Sequence, residues 1–252
     1  MSDIFHEVDE EVRREQLKKL WERYGNYAVA AAVVLVAAVA AWRGYMWWEG
    51  KKAAESGAAF EAASTLAETG KRSEAEAAFG KIAVDGTSGY RHLARMREAA
   101  ELAQTDAKAA IAAYDQIAAD GTSGYRHLAR MREAAEFAQT DPKAAIAAYD
   151  QIAADGAVGP ALQDLAALRA GALLIDAGSF EEARQRLEPL AANDRTFRHT
   201  AREFLVLAAW RAGDTTAAKH WFDLLMTDAQ TPPATRSRVE KLMALGTSAS
   251  KS

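Results

Sequence analysis

The chain has 252 residues, a formal net charge of -4, half of its residues apolar, five prolines and no cysteine. Those figures exclude a chain disordered throughout, a globally basic nucleic-acid binder, and any chemistry built on disulfides, thiolate metal ligands or thiol nucleophiles. Abundant Ala, Leu, Glu, Arg and Lys, with no long period-two runs of β-branched and aromatic residues, predict an all-α protein.

Residues 1–23 read as a charged tail on the cytoplasmic side. Asp9 precedes Arg13, Glu10 precedes Arg14 and Glu15 precedes Lys19 by four positions, the acid-first order that supports a solvated helix. From Tyr24 to Trp42 the chain then runs 19 residues without a charge. As helix that is roughly 28 Å, close to the hydrocarbon thickness of a bilayer. Trp21, Tyr24 and Tyr27 stand at one end, and Trp42, Tyr45, Trp47 and Trp48 at the other, in the manner of interfacial aromatic belts. The stem of Arg43 is long enough to reach back to the headgroups.

The reading is a single N-terminal transmembrane helix over 24–48, with those seven aromatics and Arg43 as membrane-interface anchors. Five basic residues (Arg13, Arg14, Lys18, Lys19 and Arg23) precede the span and three (Arg43, Lys51 and Lys52) follow it, which places the N-terminus in the cytoplasm. A buried soluble helix competes, but it has no reason to be bracketed by aromatics. A signal peptide cleaved after "AVA" at Ala38 to Ala40 competes too, against which stands a long, acidic leading region. Alanines four apart, such as Ala28 and Ala32 or Ala37 and Ala41, would permit close packing on another membrane helix.

Residues 49–245 read as a helical repeat domain on the far side of the membrane. Residues 85–119 and 120–154 are near-identical tandem copies, differing only at Leu102 against Phe137 and Ala107 against Pro142. A closed globule has nowhere to put 35 extra residues, whereas a solenoid adds a unit by repeating an interface that already works. A weaker pattern extends further: a turn residue, alanine five later and a bulky apolar residue nine later. It runs Gly70, Ala75, Phe79; Thr105, Ala110, Tyr114; Thr140, Ala145, Tyr149; Gly178, Ala183, Leu187; and Gly213, Ala218, Phe222.

The leads are 35, 35, 38 and 35 residues apart, which predicts about five helical hairpins. Glycine would end each first helix in a left-handed turn, alanine would admit close approach, and the large residue would fill the groove between units. In the duplicated pair, Thr105-Asp106 and Thr140-Asp141 replace the glycine and predict an N-cap instead, with Pro142 in the first helical turn. "TPPATRSRVEKLMAL" predicts a final capping helix from Pro232 or Pro233, and residues 246–252 a disordered tail.

No phosphate-binding glycine loop, serine elbow or paired-histidine motif is present in the sequence. His6, His92, His127, His199 and His220 are scattered, and two of them are copies of one another. The reading is therefore a non-enzymatic protein with no catalytic residue, cofactor or metal, and with neither nucleic acid nor a small-molecule substrate as partner. The candidates for partner binding are the basic-aromatic clusters "GYRHLARMR" at Gly89 to Arg97 and Gly124 to Arg132, through Tyr90, Arg91 and Arg95 and their copies Tyr125, Arg126 and Arg130. In projection Leu93, Met96 and Ala100 face the core while Arg91, Arg95 and Glu98 share a polar face. That polar face is either a solvated surface with intrahelical ion pairs or a groove for an acidic or extended polypeptide. "RTFRHTAREF" adds Arg198 and Arg202 as a second such surface.

The layout of "ALRAGALLIDAGSFEEARQRL" and "LAAWRAGDTTAAKHWF" resembles the tetratricopeptide repeat. The short charged tail, the single span and the junction "WRGYMWWEGKKAAESGAAFEAA" are similar to the bacterial membrane-anchored tetratricopeptide family of ancillary SecYEG translocon subunits. The resemblance implies a single-pass inner-membrane protein with its repeats in the periplasm, acting as a scaffold for translocon subunits, periplasmic chaperones or exported polypeptides. It also implies a binding groove lined by the first helices of the repeats. The alternative within binding proteins is an envelope or cell-division coordinator that uses the same repeats on a different partner. An enzyme with an unrecognised site is the alternative from another class.

Overall fold

Helix α1 runs unbroken from Asp3 to Glu68 in the computed structural model, which describes residues 3–249. The chain divides into two compact units at Ala59 and Phe60. In the first unit the side chains of Val33, Val34, Leu35, Val36 and Val39 are all more than half exposed, as are those of the flanking tryptophans and tyrosines. No protein core covers this stretch.

The second unit takes the end of α1 from Phe60 and pairs it with α2 (Arg72–Asp85). Four further pairs follow: α3 (Ser88–Leu102) with α4 (Ala107–Asp120), α5 (Ser123–Thr140) with α6 (Pro142–Ala154), α7 (Pro160–Asp176) with α8 (Phe180–Leu187), and α9 (Arg198–Arg211) with α10 (Thr215–Thr227). A short 3-10 turn, Glu188–Ala191, extends α8, and α11 (Pro233–Ala249) closes the array. Among the described residues every regular element is helical. The fold is an all-α array of five helical hairpins and a cap.

Two kinds of turn join the helices of a hairpin. Gly70, Gly178 and Gly213 have φ of 79°, 78° and 76°, a left-handed conformation that costs other L-residues about 1–2 kcal/mol. There the chain folds back so that two successive N–H groups reach the final carbonyls of the first helix, as Gly178 does to Ile175 (3.2 Å) and Ser179 to Leu174 (2.9 Å). In the duplicated units the carboxylate of Asp106 accepts from the Ala109 N–H at 2.9 Å and that of Asp141 from the Ala144 N–H at 3.1 Å. These are N-caps of the expected kind, and Pro142 sits where its missing N–H is harmless.

The alanine of each repeat, Ala75, Ala110, Ala145, Ala183 and Ala218, is buried, and so are Phe79, Tyr114, Tyr149 and Leu187 nine positions after the turn. Phe222 is only partly buried, beside Val206, Leu225 and Val239 under the capping helix. The single 38-residue interval arises at the link from Ala154 to Pro160, which is longer than the link from Asp120 to Ser123 and tucks Val158 among Tyr149, Ile152 and Ala166.

One expectation needs correction: on α3 the buried residues are Ala94, Met96 and Ala99, while Leu93 and Ala100 are only partly buried. The projection supposed a single apolar face. In fact α3 is wedged between α2 and α4, and the small alanines take the tightest positions. Helix α11 continues to Ala249, four residues into the segment expected to be a disordered tail, and residues 250–252 lie outside the described part.

Candidate functional site

The duplicated basic-aromatic clusters are largely committed to the hairpins that carry them. The Tyr90 ring sits 5.9 Å from that of Phe60 and packs on the first core cluster. Its copy Tyr125 stacks on His92 at 5.4 Å and packs beside the first copy's core. Arg95 Nη1 reaches Asp120 Oδ1 at 2.9 Å, and Arg130 Nη1 reaches Asp155 Oδ2 at 2.5 Å. Each ion pair ties the first helix of a hairpin to the C-terminal end of its second, at the last residue of α4 and at the residue just after α6. The Asp155 carboxyl is held below its usual range, first by Arg130 and then by the Ala157 N–H. Arg126 and Arg91 are exposed, and Arg126 also donates to the Gly121 carbonyl at 3.3 Å.

Arg198 and Arg202 converge on Asp228, in the link between α10 and α11. Arg198 Nε and Arg202 Nη1 each lie 3.3 Å from Asp228 Oδ2, and His199 Nε2 lies 2.9 Å from it. Arg202 is only 3% exposed. It also donates through Nε to the Ala191 carbonyl at 2.9 Å and through Nη2 to Asn193 Oδ1 at 2.5 Å. The Gln230 N–H donates to Asp228 Oδ1 at 2.9 Å, and Arg198 to the Gln230 side-chain oxygen. Together they hold the Asp228 carboxyl far below its ordinary value, the Gln230 N–H first and His199 next. An open cavity of about 390 Å³ lies against this cluster. Since both guanidiniums are already matched to acceptors, the cluster reads first as a knot fastening α9 to the capping helix.

A further groove was not singled out from the sequence. It holds about 470 Å³ between the start of α8, the second half of α9 and the start of α10. Leu205 and Ala208 form its floor, with Ala209, Ala212 and Ala217 beside them, and Phe180 and Trp221 form its walls. Glu181, Glu182 and Asp214 stand on its rim, with Arg184 as the one basic residue. Arg184 is spent on Glu181 (2.6 Å) and on Glu188 (2.8 Å).

The repeat alignment itself carried the signal. Two positions after the turn, Phe180 stands where the other units have Arg72, Ala107, Pro142 and Thr215. Eight after it, Trp221 stands where they have Ala78, Ala113, Ala148 and Arg186.

Among the anchor candidates, Trp21, Tyr24, Tyr27, Trp42, Tyr45, Trp47 and Trp48 are all exposed, and so is Arg43. Lys51 Nζ lies 6.0 Å from the Trp47 ring centre and Lys52 Nζ 5.4 Å from that of Trp48, one turn beyond the apolar stretch. From Trp21 onward α1 is long and apolar enough to cross a membrane. Among the described residues no three His, Asp or Glu side chains are grouped to hold a metal ion.

Comparison with known proteins fits this geometry. A model of the tetratricopeptide repeat-like domain matches residues 18–135, from before the apolar stretch into α5. The hairpin array has a tetratricopeptide-like fold. Its fold is similar to the crystal structure of a tetratricopeptide repeat protein from Parabacteroides merdae, with a TM-score of 0.53 and 14% identity over 75% of this chain and 73% of that one. No curated protein matches the sequence.

Proposed function

We propose that this chain is a membrane-anchored, non-enzymatic scaffold for protein-protein interaction. Its N-terminus lies in the cytoplasm, and the hairpin array is held outside the inner membrane beside the protein-export machinery. One observation carries the anchor: the stretch from Trp21 to Trp48 exposes valines, leucine and aromatics all around α1, and such a surface needs lipid or other membrane helices to cover it. The match to the tetratricopeptide-like domain begins at residue 18 and so takes in the apolar stretch together with the first repeats. That favours a retained anchor over a cleaved leader. The array presents long helical faces of the kind that bind other polypeptides, which supports a scaffold.

The role beside the SecYEG translocon and periplasmic chaperones rests on the sequence resemblance around the span. An envelope or cell-division partner would use the same array. Protease added to spheroplasts tests the topology: the hairpin array should be digested while an N-terminal epitope survives. Protection of a C-terminal epitope in intact spheroplasts would reverse the orientation, and recovery of the array as a soluble periplasmic protein would remove the anchor. Purification in mild detergent then tests the partner, with translocon subunits expected in the eluate.

A further inference from the structure

The groove between α8 and α10 differs in its chemistry from the joints made by the duplicated copies. At the position of Leu205 the duplicated copies carry Arg97 and Arg132, and at the position of Ala209 they carry Glu101 and Glu136. Those joints carry charged side chains at both places. At the last joint the floor is aliphatic, the walls are Phe180 and Trp221, and the rim holds three carboxylates and one guanidinium, which pairs with Glu181 among the three and with Glu188, so that Glu182 and Asp214 stand without it. Glu182 is exposed, and its nearest basic partner, Arg186, is 3.9 Å away and bound bidentately to Asp150 at 2.9 and 2.8 Å. The rim is thus an acidic field around an apolar slot whose walls come from second helices and whose floor comes from the first helix α9. The groove implied by the family resemblance is lined by first helices alone, so this is a different surface.

We propose that this groove docks a cationic amphipathic segment of a partner polypeptide. An apolar side chain of the segment lies on Leu205 and Ala208 between Phe180 and Trp221, and lysine or arginine side chains one helical turn away meet Glu182, Glu181 and Asp214. The proposal rests on the scaffold reading and specifies the chemistry of one partner. The sign of the rim selects that occupant, because an acidic segment would place its carboxylates against three others.

The test uses the full chain in phosphatidylcholine nanodiscs and a short fluorescein-labelled helical peptide of leucine and lysine, with a leucine-glutamate peptide as counterpart and empty discs as blank. The lysine peptide should bind saturably, and the glutamate peptide at least about tenfold more weakly. Glu182→Lys and Ala212→Phe alter exposed positions at the groove and should each weaken binding about tenfold with unchanged melting. Glu240→Lys, on an exposed face of α11, should leave binding intact. Equal binding of the two peptides, binding to empty discs alone, or undiminished binding by both groove variants would overturn the proposal. So would a dimer of the chain that Ala212→Phe dissolves, since a second copy would then be the occupant. The protease experiment on orientation is independent, so either reading can fail without the other.

Discussion

The guanidinium carbon of Arg97 lies 5.5 Å from the centre of the Phe79 ring, which belongs to the preceding hairpin and is fully buried. The arrangement recurs where Arg169 lies 5.9 Å over Tyr149 and donates to its hydroxyl at 3.4 Å. Between the two copies, burial raises the pKa of the Tyr114 hydroxyl and the Arg132 charge opposes that rise. At the last joint Leu187 and Leu205 take the same two places in an aliphatic core. Each joint therefore pairs a large residue of one hairpin with a lid from the next, and lid and ring change chemistry together. Arg97→Ala should cost about 1–2 kcal/mol, since the cation lies against a ring shielded from water. Arg91→Ala, on the exposed side of the same helix, should stay within about 0.5 kcal/mol. Urea unfolding of the full chain in mild detergent compares them, and equal losses would refute the lid.

The carboxyl of Glu133 on α5 is pushed above its ordinary 4.5, chiefly by burial and then by Asp115 on α4, with Arg130 opposing. A raised carboxyl stabilises the fold when protonated, and that contribution is present below pH about 4.5 and lost as pH rises through the raised value. Glu133→Gln should therefore melt higher than the parent at pH 7, and the gain should vanish near pH 4. Melting curves at the two pH values decide it. A variant less stable at both would mean that the pairing with Arg130 outweighs burial.

Much of this array could be read before its structure. The turn glycines, the caps at Asp106 and Asp141 and the buried alanines follow from local rules, because each is set by residues a few positions apart. What local rules miss is set by neighbours distant in sequence. Arg95 and Arg130 looked free for a partner because Asp120 and Asp155 lie 25 residues further on. Arg198 and Arg202 looked like a basic surface because Asp228 stands at the far end of the next helix. Leu93 looked buried because a projection sees one helix at a time, whereas α3 has a neighbour on two sides. The Phe180 and Trp221 groove escaped notice because each residue is ordinary alone and unusual only against its counterparts in the other repeats.

Asp228 titrates in the opposite sense to Glu133. Its carboxyl is depressed from an ordinary 3.8, first by the Gln230 N–H and then by His199, so its contribution is present above pH about 4 and lost as pH falls further. Asp228→Asn should lower the melting temperature at pH 7, and the gap from the parent should narrow as the pH drops below about 4. A gap that stays constant to pH 2 would mean that the ionised carboxylate does not hold α9 to the cap.

The duplicated unit gives the most demanding test, deletion of residues 120–154. The cut joins Ala119 to Asp155 and places Asp155 opposite Arg95, where Asp120 now makes the 2.9 Å pair. Tyr114 would then meet Arg169 as Tyr149 does now, and Asp115 would take the place of Asp150 before Arg186. Apart from Leu102 in place of Phe137 and Ala107 in place of Pro142, the residues that meet at the new joint are those that meet in the intact chain through the copy that was removed. In an array whose stability is roughly a sum of units and nearest-neighbour interfaces, the loss is one unit and one interface. The shortened chain should thus fold, unfold cooperatively and bind the lysine peptide at the groove as the parent does. Removing residues 120–137 instead deletes nearly all of α5, leaves α6 without its partner and exposes Tyr149 and Ile152. That chain should aggregate or lose its melting transition. If the 35-residue deletion fails as badly as the half-unit deletion, the array is not modular, and the copies are joined by contacts beyond nearest neighbours.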